Sequence, residues 1–282
     1  MRFYPKRIYC LLLLANFWFM PVLKAETVYS FAVVPQQSAS ELAETWSPVL
    51  SWLSEHAGVS LRFVTAPDIP SFERRLAGGE YDFAYMNPYH FTVFNAKPGY
   101  QALARAKDEQ VSGIVVVGKD SAISHISQLA ATEMAFPAKA SFGASILVQA
   151  ELWRQGLQVK PSYVKSHNSV YRDVALGLFP AGAGVPRTFN MLEPELQSQL
   201  RILWQTQPFT THAIAVAPSL SSELSDKIRQ AMLAMNQDPQ GLSLLAKIGF
   251  KGFVPANNQD WDDVRRLTIN PEHLISDSDS KF

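Results

Sequence analysis

The sequence predicts an α/β fold in two lobes, each with a mostly parallel central sheet flanked by helices, and two hinge crossings between them. Three observations carry this. Strand-like and helix-like segments alternate from Val28 to the helix that opens at Asn87-Pro88, and the alternation starts again between Met134 and Leu178. Two buried, strand-like runs, Gly113 to Gly118 and His212 to Ala217, bracket the second series. Such alternation builds parallel strands whose crossover helices cover the sheet faces. The bracketing runs divide the chain into lobe 1 (residues 26–112), lobe 2 (113–211) and a return that completes lobe 1 with C-terminal helices (212–282).

The elements follow in order. Val28 to Val34 is a β-rich run stopped at Pro35. From Ser40 to His56 the residues Leu42, Trp46, Val49, Leu50 and Leu53 share one helical face, and Gly58 closes the helix. Val59 to Val64 alternates as a strand does, and Phe72 to Leu76 is a short helix ended by Gly78-Gly79. Tyr81 to Met86 is a strand that runs into Asn87-Pro88, a good N-cap and a good first helical residue. In the second series Met134 to Phe136 and Pro161 to Val164 are strands, Ala144 to Gln155 and Val170 to Leu178 helices, and Arg201 to Trp204 a further strand. Leu220 to Leu267 is helical in pattern, broken at Asp238-Pro239 and at Gly249 to Phe253, and Ser276 to Phe282 reads as a frayed end.

The N-terminus sets the compartment. Arg2, Lys6 and Arg7 precede an apolar run from Ile8 to Leu23, and Ala25 stands ahead of polar Glu26-Thr27, which is the layout of a cleavable signal peptide over residues 1–25. The run is short for a membrane span, and an uncleaved signal-anchor is the competing reading. Cys10 is the one cysteine in the sequence and lies ahead of the apolar core, so the mature chain is expected to hold no disulfide and no lipid anchor. Removing the leader leaves 21 basic against 25 acidic residues, a formal charge of −4 that disfavours nucleic-acid binding.

Three segments share one physical logic: a strand runs into a short polar stretch that opens a helix, whose unpaired N–H groups and positive dipole end suit an anion. The first is Tyr85 to His90, with Asn87 at the cap and the Tyr85 and Tyr89 phenols as donors. The second is Ala140 to Ser145, where Ser141 and Ser145 supply hydroxyls and Gly143 admits close backbone approach. The third is Ser166 to Ser169, where His167 and Ser169 offer donors ahead of the helix from Val170. A plain cap or packing role is the alternative at each. Catalytic signatures are lacking: the six histidines are scattered, with no His-Glu-x-x-His, no cysteine pair, no Gly-x-Ser-x-Gly, and no Gly-Lys-Ser/Thr after Gly182-Ala183-Gly184. No enzyme, metal or cofactor is expected.

The order of these segments resembles the PhnD-like family, the periplasmic binding proteins of phosphonate, phosphite and phosphate ABC transporters. The stretches that carry the resemblance are Gly79 to Pro88, the Ser141 to Ser145 loop with its helix, His167 to Gly177, and the ending Leu245 to Ala256. The resemblance implies a type II periplasmic-binding-protein fold, a small anionic ligand and an ABC permease as partners, and a monomer. By position it implies ligand contacts from Trp46, Tyr85, Asn87 and Tyr89 in lobe 1, and from Ser141, Phe142, Gly143, Ala144, Ser145 and His167 in lobe 2. Three positions depart from the family pattern. Ser141-Phe142-Gly143-Ala144-Ser145 replaces a Ser-Thr-Ser-like run, Pro180 stands where an acidic residue is common, and Trp46 stands where tyrosine is common. Capture of a phosphonate- or phosphate-like oxyanion for import is the expected function, with presentation of the bound state to a sensor kinase or chemoreceptor as the alternative.

Overall fold

The structure, a computed structural model, describes residue 1 and residues 27–267. Apart from Met1, the segment read as a signal peptide lies outside the described residues, as does the tail read as frayed.

The first series forms β1 (Val28–Val33), α1 (Ala39–Ala57), β2 (Ser60–Val64), α2 (Ile69–Ala77), β3 (Phe83–Met86), α3 (Pro88–Ala96) and β4 (Gln101–Ala106). Local chemistry sets the boundaries. Ser38 caps α1 in a capping box with Glu41, and Gly58 ends it at φ 63° in the left-handed region that glycine enters without a Cβ penalty. Asn87 caps α3 by accepting from the His90 amide, with Pro88 in the first turn. The chain then crosses through β5 (Gln110–Val111) into β6 (Ile114–Gly118), β7 (Glu133–Phe136), α4 (Val148–Arg154), β8 (Lys160–Tyr163), α5 (His167–Ala175), β9 (Gly182–Gly184), α6 (Pro186–Asn190), α7 (Pro194–Gln197) and β10 (Leu200–Gln205). It returns through β11 (Phe209–Thr210) to β12 (Ala213–Val216), α8 (Ser222–Ala234), α9 (Pro239–Lys247), β13 (Phe253–Pro255) and α10 (Asp262–Arg265).

Two mixed sheets result, in the orders β13-β4-β12-β3-β1-β2 and β10-β6-β9-β7-β8. Strands β1, β2 and β3 are parallel, and β12 runs against both β3 and β4. In the second sheet β7, β8 and β9 are parallel, and β6 runs against β9 and β10. The parallel runs are therefore as expected, but the strand that carries the chain into or out of each sheet sits among them reversed. Strand β6 buries Ile114 and Val116 in one cluster and Val115 and Val117 in another, so its two faces serve two cores, as a strand covered on both sides must. The first sheet's core centres on Phe31, Trp46, Leu50, Phe83, Phe91 and Trp261.

Several elements differ from the pattern reading. The helix expected from Ala144 opens with a π-helical stretch, Phe142–Leu147, before α4. Helix α5 starts at His167, capped by Ser166, so His167 and Ser169 stand in its first turn and not ahead of it. Strand β13 interrupts the tail that reads as helical. Strand β4, Gln-Ala-Leu-Ala-Arg-Ala, lacks the β-branched and aromatic residues that mark strands, and it forms because β12 and β13 pair with it.

Candidate functional site

The outward and return crossings pair with each other. Val111 pairs with Phe209 and Gln110 with Thr210 in an antiparallel ribbon, and the Thr206 amide donates to the Gly113 carbonyl at 2.9 Å, so the two connections between the sheets share backbone hydrogen bonds. The C-terminal segment holds this ribbon in place: Trp261 Nε1 donates to the Thr211 carbonyl at 2.8 Å, and the Thr210 amide donates to Asp263 Oδ2 at 2.8 Å.

A cavity of about 260 Å³ opens beside the ribbon. The crossings contribute Glu109 to Ser112, Thr211 and His212, the first sheet's lobe contributes Gln36, Tyr85 and Gly249, and the second contributes Val185, Pro186 and Arg187. It is therefore a cleft between two lobes, walled by both. Arg187 is the one Lys or Arg among these residues. Its Nη1 donates to Tyr85 Oη at 3.1 Å and its Nη2 to the Ile248 carbonyl at 2.5 Å, and its guanidinium carbon stands 5.3 Å from the centre of the Phe250 ring.

Burial shapes the charge of this wall. Tyr85 is pushed up to about 12 by desolvation, against the opposing pull of Arg187, so its hydroxyl stays protonated. His212 is held well below the usual imidazole range, first by burial and then by Arg187, His90 and His167, so it faces the cleft neutral. Its ring stacks on Tyr85 with centroids 5.0 Å apart, and Gln36 Nε2 lies 3.1 Å from its Nε2. Burial raises the Glu109 carboxyl, while Arg187 and Lys251 pull it back down.

Of the candidate residues read from the sequence, Tyr85 lines the cleft. Trp46 packs directly behind it, ring centroids 4.9 Å apart, and is buried. Asn87 does more than cap: its Nδ2 donates to the Ala140 carbonyl at 3.0 Å, tying the start of α3 to the loop ahead of the π-helical stretch. Tyr89 is half-buried on α3 and does not line the cleft. In the other lobe Ser141 Oγ and His167 Nε2 are 3.4 Å apart, and His167 Nδ1 is 3.3 Å from Thr188 Oγ1. Ser145 Oγ donates to the Ala138 carbonyl at 2.6 Å, and Ser169 Oγ is 2.8 Å from Ser166 Oγ. Phe142 packs edge-on to Phe209, Ala144 lies in the second core, and Gly143 is pressed between Val185, Val111 and the Ser112 carbonyl. The structure thus brings Ser141 and His167 together and commits the remaining hydroxyls to partners within the fold.

The model of a family described as the periplasmic substrate-binding protein of phosphonate ABC transporters matches residues 31–261. The chain belongs to that family. It is 21% identical over 281 residues to the phosphate-import protein PhnD of Mycolicibacterium smegmatis, covering 86% of this chain and 85% of the relative. Two solved structures share the fold at 16% identity. A binding-protein component of an ABC phosphonate transporter from Pseudomonas aeruginosa superposes with TM-score 0.78 over 86% of this chain and 85% of that one. PhnD1 from Prochlorococcus marinus, in complex with methylphosphonate, does so with TM-score 0.77 over 85% and 96%.

A phosphonate-type binding protein is the periplasmic component of an ABC importer, with a permease as partner, and not an enzyme. No helix among the described residues is long and apolar enough to cross a membrane, and no group of three or more His, Cys, Asp or Glu there could hold a metal ion. Pattern reading missed Arg187, Gln36 and His212 for different reasons. The signal for Arg187 was present: Val185-Pro186 is again a strand running into a helix with proline in its first turn. Gln36 precedes the cap of α1, and His212 falls at the start of a strand, where sequence gives no sign that the side chain meets a cleft.

Proposed function

We propose that this binding protein captures a small oxyanion of the phosphonate or phosphate type in the cleft on the crossing ribbon and delivers it to its permease. The observation that carries the reading is Arg187 reaching across the cleft between two lobes of a phosphonate-family chain, flanked by the neutral donors Gln36, Ser112, Thr211 and Tyr85. A half-buried guanidinium with N–H groups beyond those bonded to Tyr85 and Ile248 recognises phosphonate oxygens in a planar, charge-assisted geometry. The relatives named for phosphate import and solved with methylphosphonate support the same ligand class. The Ser141 to Ser145 segment then acts behind the cleft wall, since its hydroxyls serve internal partners. Residues 26–112 with 212–282, and residues 113–211, are the two lobes of this reading, and the β5–β11 ribbon is their hinge. Both lobes and the whole cleft come from one chain, which suits a monomer.

The test is a thermal-shift series on the mature protein with methylphosphonate, phosphate, phosphite, sulfate and an uncharged sugar. A ligand at 100 times its Kd adds about 2.7 kcal/mol of stability. A shift with the sugar and none with any phosphorus oxyanion would overturn the proposal. Glu109 adds a second reading of the same cleft wall. Its carboxylate opposes an anion there, so Glu109→Gln is expected to tighten methylphosphonate binding by about 1 kcal/mol, roughly fivefold in Kd, by calorimetry. Weaker binding in that variant would mean that Glu109 holds part of the ligand.

A further inference from the structure

Two hydroxyls on the cleft wall each accept a hydrogen bond from a neighbouring side chain. Arg187 Nη1 donates to Tyr85 Oη at 3.1 Å, and Gln205 Nε2 donates to Ser112 Oγ at 2.7 Å. Ser112 and Tyr85 line the cavity and are buried, whereas Gln205, the last residue of β10, is exposed and stands outside it. Backbone contacts hold the Ser112–Gln205 pair in register: the Gly113 amide donates to Thr206 Oγ1 and the Thr206 amide to the Gly113 carbonyl, each at 2.9 Å. Neighbouring buried hydroxyls also use their hydrogens within the fold. Thr206 Oγ1 donates to the Gln207 carbonyl at 2.8 Å, and Tyr171 Oη, which accepts from the Val185 amide, donates to the Val185 carbonyl at 3.1 Å. Among the described residues no protein acceptor receives the hydroxyl hydrogen of Ser112 or of Tyr85. A buried donor left without an acceptor is unfavourable, so both hydrogens call for a partner in the cleft.

A hydroxyl carries one hydrogen and two lone pairs. An N–H aimed at a lone pair repels the hydroxyl's own hydrogen, which turns to the other side. For Ser112 that side is the cleft, because Gln205 approaches from outside it. We infer that Gln205 is a positioning residue for the oxyanion site: by occupying the Ser112 acceptor it makes that hydroxyl a donor into the cleft, as Arg187 does for Tyr85. This role rests on the oxyanion reading above, and it explains why neutral hydroxyls, which accept as readily as they donate, serve there as donors. The ligand face that Ser112 and Tyr85 recognise is then a pair of acceptor-only oxygens, the unprotonated P–O groups of a phosphonate. A P–OH group turned toward either hydroxyl would set two hydrogens against each other.

Calorimetry with methylphosphonate on Gln205→Glu and Gln205→Met, each in the wild-type and the Ser112→Ala background, tests this role. Glutamate is nearly isosteric with glutamine but only accepts, so it draws the Ser112 hydrogen out of the cleft; methionine has a similar length and leaves the hydroxyl free to rotate. The expected result is a rise in Kd of about tenfold or more for Gln205→Glu, the loss of one hydrogen bond to a charged ligand, and a smaller rise for Gln205→Met. With Ser112→Ala no hydroxyl remains to turn, and Gln205→Glu should then cost less than about threefold, the share of an added charge at an exposed position. A merely structural role for Gln205 gives the opposite order, since glutamate keeps a bond to Ser112 and methionine loses it. Methionine weaker than glutamate, glutamate as tight as wild type, or an equal glutamate loss in the Ser112→Ala background would overturn the positioning role, while binding by the wild type keeps the oxyanion reading. A wild type that binds no phosphorus oxyanion would sink that reading and the positioning role with it. Gln205 is exposed, so its variants are expected to fold, as circular dichroism checks; should Ser112→Ala not fold, the order of the two Gln205 variants decides by itself.

Discussion

Single side chains in this protein are governed more by what burial does to them than by their intrinsic chemistry. His167 reads as a ligand donor in the sequence, yet it is almost wholly buried between Ser141 and Thr188, and desolvation lowers it to about 4. The unfolded chain binds a proton near the ordinary histidine value of about 6.5, whereas the folded chain refuses it until about pH 4. Stability from this residue is therefore complete above about pH 6.5 and falls as the pH drops toward 4, because the unfolded state holds more protons in that window. The loss from pH 7 to pH 5 is expected to be about 2 kcal/mol. Urea midpoints of wild type and His167→Gln at both pH values check it: the variant should lose less, and equal losses would show that His167 does not contribute. Trp46 is another residue of this kind. It packs behind Tyr85 and shapes the cleft without lining it, which its place on the apolar face of α1 made legible as burial but not as a site.

At the scale of elements, the decisive feature is the junction of the π-helical stretch with the crossing strands. A Cβ at Gly143 would lie 2.5 Å from Val185 Cγ1 and 3.0 Å from Val111 Cγ1, two residues that line the cleft from different elements. Alanine improves helical propensity over glycine by about 1 kcal/mol, but overpacking a filled site costs about 1–3 kcal/mol. The overlap is expected to win, so Gly143→Ala should lower stability by about 1 kcal/mol, read by urea denaturation, and weaken methylphosphonate binding by displacing Val185. A variant more stable than wild type would mean that the two valines move freely. The glycine was legible in sequence as a point of close approach. What approaches it is protein, and that follows from the strand placement alone.

For the molecule as a whole, export and fold class are read from segments that are contiguous in sequence. The leader read over residues 1–25 predicts a mature chain starting at Glu26 with no cysteine, which intact-mass measurement of protein recovered from the periplasm checks. A mass retaining Cys10 would favour the uncleaved anchor. The sequence by itself determined the α/β class, the two series of elements, the caps at Ser38, Gly58 and Asn87, and the family, because each depends on local periodicity, backbone preference or the linear order of motifs. Only the tertiary structure decided that β12 enters between β3 and β4, that the two crossings pair into one ribbon, and that Arg187 reaches Tyr85 across 102 positions of chain. Those contacts join residues far apart in sequence, and their partners are chosen by how the sheets stack, a choice that no local pattern of side chains records.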